Sequence, residues 1–275
     1  MRSFHPGIFA VTLAGALLLV QPSARGQADA PTFAKDQIRE FLLKAKIVSS
    51  KQSDKGITNP WRLTLNNGTT THDASFQAID EHRMSKQFDN GKSEMNFVDS
   101  YHYNIAAYNI AEMLGLDSMM PMSVERRWTG KLGSITWWVD NIVMDEGARL
   151  KSGKSSPDAE DWNRQMYRMR VFSQLVYDTD RNLTNVLITN DWKVWMIDFS
   201  RAFRLWPDLA STKDLARGDR ELLTKLRNLT AENVEAAIEP HLGKSEIRAV
   251  IARRDKILAH YDQLIAQNGE ATVLY

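Results

Sequence analysis

Residues 176–203 constrain the fold more than any other part of the sequence. They read Val-Tyr-Asp-Thr-Asp-Arg-Asn-Leu-Thr-Asn-Val-Leu-Ile-Thr-Asn-Asp-Trp-Lys-Val-Trp-Met-Ile-Asp-Phe-Ser-Arg-Ala-Phe. A helix spaced by Trp162, Met166, Met169, Phe172 and Val176 runs into this segment. A polar loop comes next, then two short apolar runs, 185–188 and 192–197, around an Asn190-Asp191 turn. Asp180 precedes Asn185 by five positions, and Asn185 precedes Asp198 by thirteen. A hairpin returns the chain close to its start, so Asp198 is expected near Asn185. Two oxygen-bearing side chains and a free carboxylate then converge. Mg²⁺ on a triphosphate requires such a donor set.

The periodicity around this segment sorts the chain into a strand-rich first half and a helical second half. Ile38, Phe41, Leu42 and Ala45 space a helix over 35–47, and the polar run 49–55 is expected to end it. Strands are expected at 62–65 and 69–79 around Asn66-Asn67-Gly68, with a polar loop over 81–94 turning at Asn90-Gly91. A helix over 103–116 buries Tyr103, Ala106, Ala107, Ile110, Met113 and Leu114, and Gly115 stops it. Strands at 123–128 and 133–144 surround Gly130, and 145–160 reads as a linker or exposed loop. Helices are expected at 219–228, 230–238 and 245–267, the last capped by Ser245. The fold class is α+β.

Composition excludes several functions. Of 275 residues, 43% are hydrophobic and 25% charged, which suits a globular chain. The 35 basic side chains nearly balance 34 acidic ones, so no net field draws nucleic acid. With no cysteine there is no disulfide, thiolate zinc site or iron–sulfur cluster. Arg2, the apolar run 8–20 and Ala24-Arg25-Gly26 read as an export signal over 1–26. That run is shorter than the ~20 residues of a spanning helix. No later segment is apolar enough to span, so the mature chain is expected in the periplasm or outside the cell.

The segment 180–198 resembles the catalytic core of the kinase-like superfamily. Asp180 and Asn185 match its catalytic-loop pair, and Asp198-Phe199-Ser200 matches its metal-binding Asp-Phe-Gly with Ser in place of Gly. Asp180-Arg181-Asn182-x-x-Asn185 is similar to the Asp-Arg-His-x-x-Asn of the atypical branch, which includes phosphoinositide-kinase-like, HipA-like and secretory-pathway kinases. Asn182 departs from that His. The resemblance implies a two-lobed fold with a small β-rich N-lobe over 55–145. A leader and helix over 27–54 would precede it. A helical C-lobe over 146–275 would carry the catalytic-type loop 178–200. It implies Mg²⁺ and ATP as cofactors, with Asp180 orienting the attacking hydroxyl and Asn185 and Asp198 holding the metal.

Two departures bear on activity. Gln77 stands where the resemblance puts a strand Lys, and Asn104 where it puts a helix Glu. An ion pair would then be a neutral amide pair, able to hydrogen-bond but roughly half as strong. Lys86, Lys92 and Arg62 are candidates for the missing charge. There is no Gly-x-Gly-x-x-Gly. The resemblance thus leaves three readings: a phosphotransferase acting on a protein or small hydroxyl acceptor, an inactive binding protein on the same fold, and nucleotidyl transfer. The rest reads as structural. The tryptophans at 137, 138, 192, 195 and 206 are expected in core and hinge packing, and His72-Asp73 as a strand-edge pair. Arg201 and Arg204 are expected on Asp208 or Asp214, Arg253-Arg254-Asp255 on a solvated face, and Gly153-Lys154-Ser155 in a polar loop.

Overall fold

A computed structural model describes residues 33–52, 60–88, 91–178 and 181–275. The proposed export signal lies outside the described residues. Ala34–Tyr275 forms one compact unit. It opens with α1 (Lys35–Lys44), which buries Phe41 and Leu42. The guanidinium of Arg126 closes the end of α1, donating to the carbonyls of Leu42 at 2.6 Å and Ala45 at 2.7 Å. The polar run after the helix was expected to be loop, but it is strand β1 (Lys46–Gln52), paired antiparallel to β2 (Trp61–Asn66). Its side chains are almost all exposed. Backbone pairing at a sheet edge makes this strand, and an edge strand needs no apolar alternation.

The β2 strand and β3 (Thr71–Gln77) form the expected hairpin. Leu63, Leu65, Ala74 and Phe76 alternate inward. Asn67 Oδ1 accepts from the backbone of Thr69 and Thr70, and Gly68 takes φ +96°. The expected polar loop over 81–94 is a second hairpin, β4 (Asp80–Gln87) with β5 (Ser93–Ser100). Then comes α2 (Tyr101–Met113), capped by Ser100 and ended by Gly115 at φ +71°. It is buried nearly all round, which suits a helix set between a sheet and a helical lobe.

The expected strands near Gly130 are three: β6 (Ser123–Trp128), β7 (Lys131–Trp137) and β8 (Ile142–Asp145). The main sheet runs in the order β1-β2-β3-β7-β6. At Gly133 a Cβ would lie 2.3 Å from the Gln77 carbonyl and 2.7 Å from the Phe76 ring. Only glycine lets β7 lie this close to the end of β3.

The expected linker 145–160 holds α3 (Glu146–Ser152), capped by Asp145 and closed by Gly153 at φ +64°. Next is α4 (Ala159–Val176), capped by Asp158. The insert is β9 (Val186–Thr189) and β10 (Val194–Met196), which join β8 in a three-stranded sheet ordered β10-β9-β8. From α4, Gln165 accepts from Val194 N at 2.7 Å and donates to the Trp192 carbonyl at 3.2 Å, which fixes the hairpin on the helix. The helical remainder is α5 (Arg220–Arg227), α6 (Ala231–Ile238), α7 (Lys244–Asn268) and α8 (Glu270–Val273). Gly243 rather than Ser245 occupies the cap of α7.

Arg253 corrects a further expectation. It is fully buried, and it donates to the carbonyls of Leu175 at 2.7 Å, Arg204 at 2.8 Å and Trp206 at 2.5 Å. Of its neighbours, Asp255 is exposed as expected, whereas the Arg254 side chain is only 16% exposed and donates to the Leu229 carbonyl as well as to Asp255. Trp206 is 58% exposed and does not join the core. The architecture is a two-lobed α+β fold, β-rich first and helical second. Among the described residues no helix is long and apolar enough to cross a membrane.

Candidate nucleotide and metal site

The loop after α4 is held by arginine. Asp178 is fully buried and lies 2.6 Å from Arg181 Nε. The same guanidinium donates to the carbonyls of Asn185 at 2.8 Å, Ile197 at 2.7 Å and Asp198 at 3.3 Å. It also covers the Phe199 ring at 4.1 Å. One side chain thus ties the start of the hairpin to its exit. Asn182 Oδ1 accepts from Thr184 N at 2.8 Å, capping the short turn that carries Asn185. This local capping role suits an Asn at position 182. Asp180 lies outside the described residues. The nearest described residues on either side, Asp178 and Arg181, form the ion pair.

The return of the hairpin is direct. Ile197 N donates to the Asn185 carbonyl at 3.1 Å, so Asp198 begins one residue past that bond. Asp198 takes φ +56°, a left-handed conformation that turns the chain out of the strand. Its Oδ1 accepts from the Ser200 hydroxyl at 3.0 Å. The Ser200 hydroxyl therefore orients the carboxylate.

Asn104 joins the lobes. Its Nδ2 donates to Gln77 Oε1 at 2.7 Å, and its Oδ1 accepts from Phe199 N at 2.7 Å. The amide pair expected from the two departures is formed. Ser100 N also donates to the Ser200 carbonyl at 2.8 Å, a second strap from α2 to the 198–200 segment. Asn104 thus links Gln77 on β3 to the Phe199 backbone, and the hairpin brings the Asn185 backbone to Ile197, one residue before Asp198.

Sequence reasoning missed Asp99. It is 6% exposed, its Oδ1 is buried with no hydrogen-bond partner, and it lies within the field of Asp198. Burial pushes its pKa up. The Ser200 hydroxyl opposes this, the Asp198 charge adds to it, and Arg201 and Lys86 pull it down. An orphaned buried carboxylate oxygen beside a second carboxylate is an unfavourable arrangement by itself. A divalent cation relieves both defects, so the residues fit a hard metal ion. A lone Asp before a helix cap carries no sequence signal.

The charge candidates separate. Lys86 Nζ lies 3.2 Å from Glu81 and 4.1 Å from the Phe97 ring centroid, and its charge reaches Asp99. Arg62 is committed to Asp73 at 2.5 Å and to the Trp138 ring. Arg201 and Arg204 correct the sequence expectation: both pair with Glu94 on β5, Arg204 at 2.5 Å, and Asp208 bonds Lys256 instead. His72 does not pair with the Asp73 carboxylate. It stacks on Trp137 and meets Asp140 at 2.8 Å.

The sequence matches no protein-family model and no curated protein. Solved structures do match the fold. A hydra Fam20 structure with sugar aligns with a TM-score of 0.64 at 13% identity, covering 89% of this chain and 93% of the other. The Golgi casein kinase with Mn/ADP bound aligns at 0.62 and 14% identity, covering 88% and 79%. The Helicobacter pylori proinflammatory kinase CtkA aligns at 0.52 and 10% identity, covering 82% and 98%. The fold is therefore that of the atypical kinase-like proteins.

Proposed function

We propose that this protein is an exported kinase-like phosphotransferase that binds Mg-ATP and passes its γ-phosphate to a protein or small hydroxyl acceptor. The Asn104 bridge from Gln77 to Phe199 N, beside the hairpin that returns Asp198 toward Asn185, carries this reading. A similar fold that holds Mn/ADP supports it. Asn185 and Asp198 would hold the metal, with Asp99 beside them. When bound, the metal supplies charge neutralisation on the phosphates. Gln77 would donate to a phosphate oxygen, and Lys86 adds positive charge nearby. Asp180 would orient the acceptor hydroxyl and take its proton as the new P–O bond forms and the bond to the β-phosphate oxygen breaks. The domain limits at 55–145 and 146–275, and export directed by 1–26, belong to the same proposal.

A second reading is a nucleotide-binding pseudokinase. The neutral Gln77–Asn104 pair favours it, because an amide stands where the resemblance puts a lysine. Thermal unfolding with Mg-ATP, ATP plus chelator, and Mg²⁺ alone separates these possibilities. At 100 times its Kd a ligand stabilises by about 2.7 kcal/mol, or roughly 5–10 °C here. The nucleotide site is refuted if Mg-ATP gives no shift, or if Asp198→Ala keeps the full shift. Transfer of γ-phosphate label that stops in Asp180→Ala, with binding retained, selects the enzyme. Binding without any transfer selects the pseudokinase, and label moving from the α-phosphate selects nucleotidyl transfer.

A further inference from the structure

Residues two apart on a helix point to nearly opposite sides. Asn104 faces Gln77 and the hairpin, so His102 on the same turn of α2 faces away from that network. There its Nδ1 lies 2.9 Å from Nδ1 of His241, in the segment after α6. A carboxylate oxygen of Glu125 on β6 completes a trio whose donor atoms all lie within 4.8 Å of one another. Among the described residues no other three histidine and acidic groups gather so closely. All three residues are half-buried.

The surroundings orient the donors. Tyr101 donates its hydroxyl to Glu125 Oε2 at 3.0 Å and stacks on the His102 ring with centroids 4.0 Å apart. Carboxylates that ligate metals are commonly held by such outer hydrogen bonds. Burial and the neighbouring His102 push the His241 pKa below its ordinary value, against the pull of Glu125. A neutral imidazole is the form that ligates a metal. An ion about 2.0–2.1 Å from each donor would set them roughly 3.3 Å apart, a little more than the 2.9 Å between the two Nδ1 atoms.

We propose that His102, Glu125 and His241 form a binding site for one divalent transition ion of the zinc class, with a fourth position open to water. Two imidazoles and one carboxylate select such an ion over Mg²⁺, which prefers oxygen donors. No cysteine is required, so the cysteine-free composition does not oppose it. The bound ion would tie the first turn of α2 to β6 and to the segment after α6. The site stands independently of the nucleotide reading.

The test uses tag-free full-length protein stripped with chelator. Zn²⁺ is titrated by calorimetry, and Co²⁺ is followed by its visible absorption. We expect one equivalent to bind and to raise the melting temperature. His241→Gln and Glu125→Gln should each weaken it by more than about tenfold, whereas Asp198→Ala should leave it unchanged. The two ligand variants are independent, so either alone decides if the other fails to fold. The proposal is overturned if stoichiometric Zn²⁺ does not bind, if a folded ligand variant binds as tightly as wild type, or if Asp198→Ala abolishes binding.

Discussion

Replacing Asn104 by alanine tests the join between the lobes. The wild-type side chain is 9% exposed and makes two bonds of 2.7 Å, one to Gln77 and one from Phe199 N. Its 3.4 Å contact with Ser134 adds little. Without it the Phe199 amide is left buried and unpaired, at about 1–3 kcal/mol. The bond to Gln77 contributes about 0.5–1.5 kcal/mol. Alanine returns roughly 0.5 kcal/mol through its better helix propensity. The net expected loss is about 1–4 kcal/mol, measured as ΔG in water by urea unfolding with the m-value unchanged. Amide hydrogen exchange at Phe199 should speed up at the same time. A loss below about 0.5 kcal/mol, or unchanged exchange at Phe199, would refute the bridging role argued here.

Further outcomes follow from single contacts. Gly133→Ala should destabilise by more than about 2 kcal/mol in urea unfolding, because its Cβ meets the Gln77 backbone, which cannot turn aside as a side chain does. Arg253→Met should cost about 3 kcal/mol or more, and Arg253→Lys should not restore it, because three carbonyls from two segments, α4 and residues 204–206, need the forked guanidinium. Asp99 has a raised pKa, so its stability contribution is full below the unfolded value near 3.9 and is lost as pH rises through the folded value. Asp99→Asn should therefore gain stability over metal-free wild type as pH rises from about 4 to 7 in urea titrations. Gln77→Lys should tighten Mg-ATP binding in the thermal-shift assay by a few-fold, since a charged donor roughly doubles a neutral hydrogen bond.

Legibility tracked the apolar pattern. The β2–β3 hairpin, α2, α4 and the β9–β10 hairpin were all readable, because each buries a regular set of side chains. The strands β1 and β4 were not: neither places a side chain in the core, and the burial signal is the only one alternation can report. The short helix α3 was lost for a related reason, because a single buried residue leaves no stripe to count. Spacing and resemblance put Gln77, Asn104, Asn185 and Asp198 forward as candidates for the site. Asp99 and Lys86 took their place through the β4–β5 hairpin, which the polar pattern hid.

By itself the sequence determined the α+β class, the two-part division and the hairpin that returns Asp198 toward Asn185, because periodicity and turn chemistry act over short stretches. Tertiary structure alone decided that Arg253 is buried, that Glu94 takes both Arg201 and Arg204, and that two histidines and a glutamate meet beside α2. The physical reason is separation. These groups sit far apart along the chain, and a charged or imidazole side chain reads alike in solvent and in a satisfied interior until its distant partners are placed.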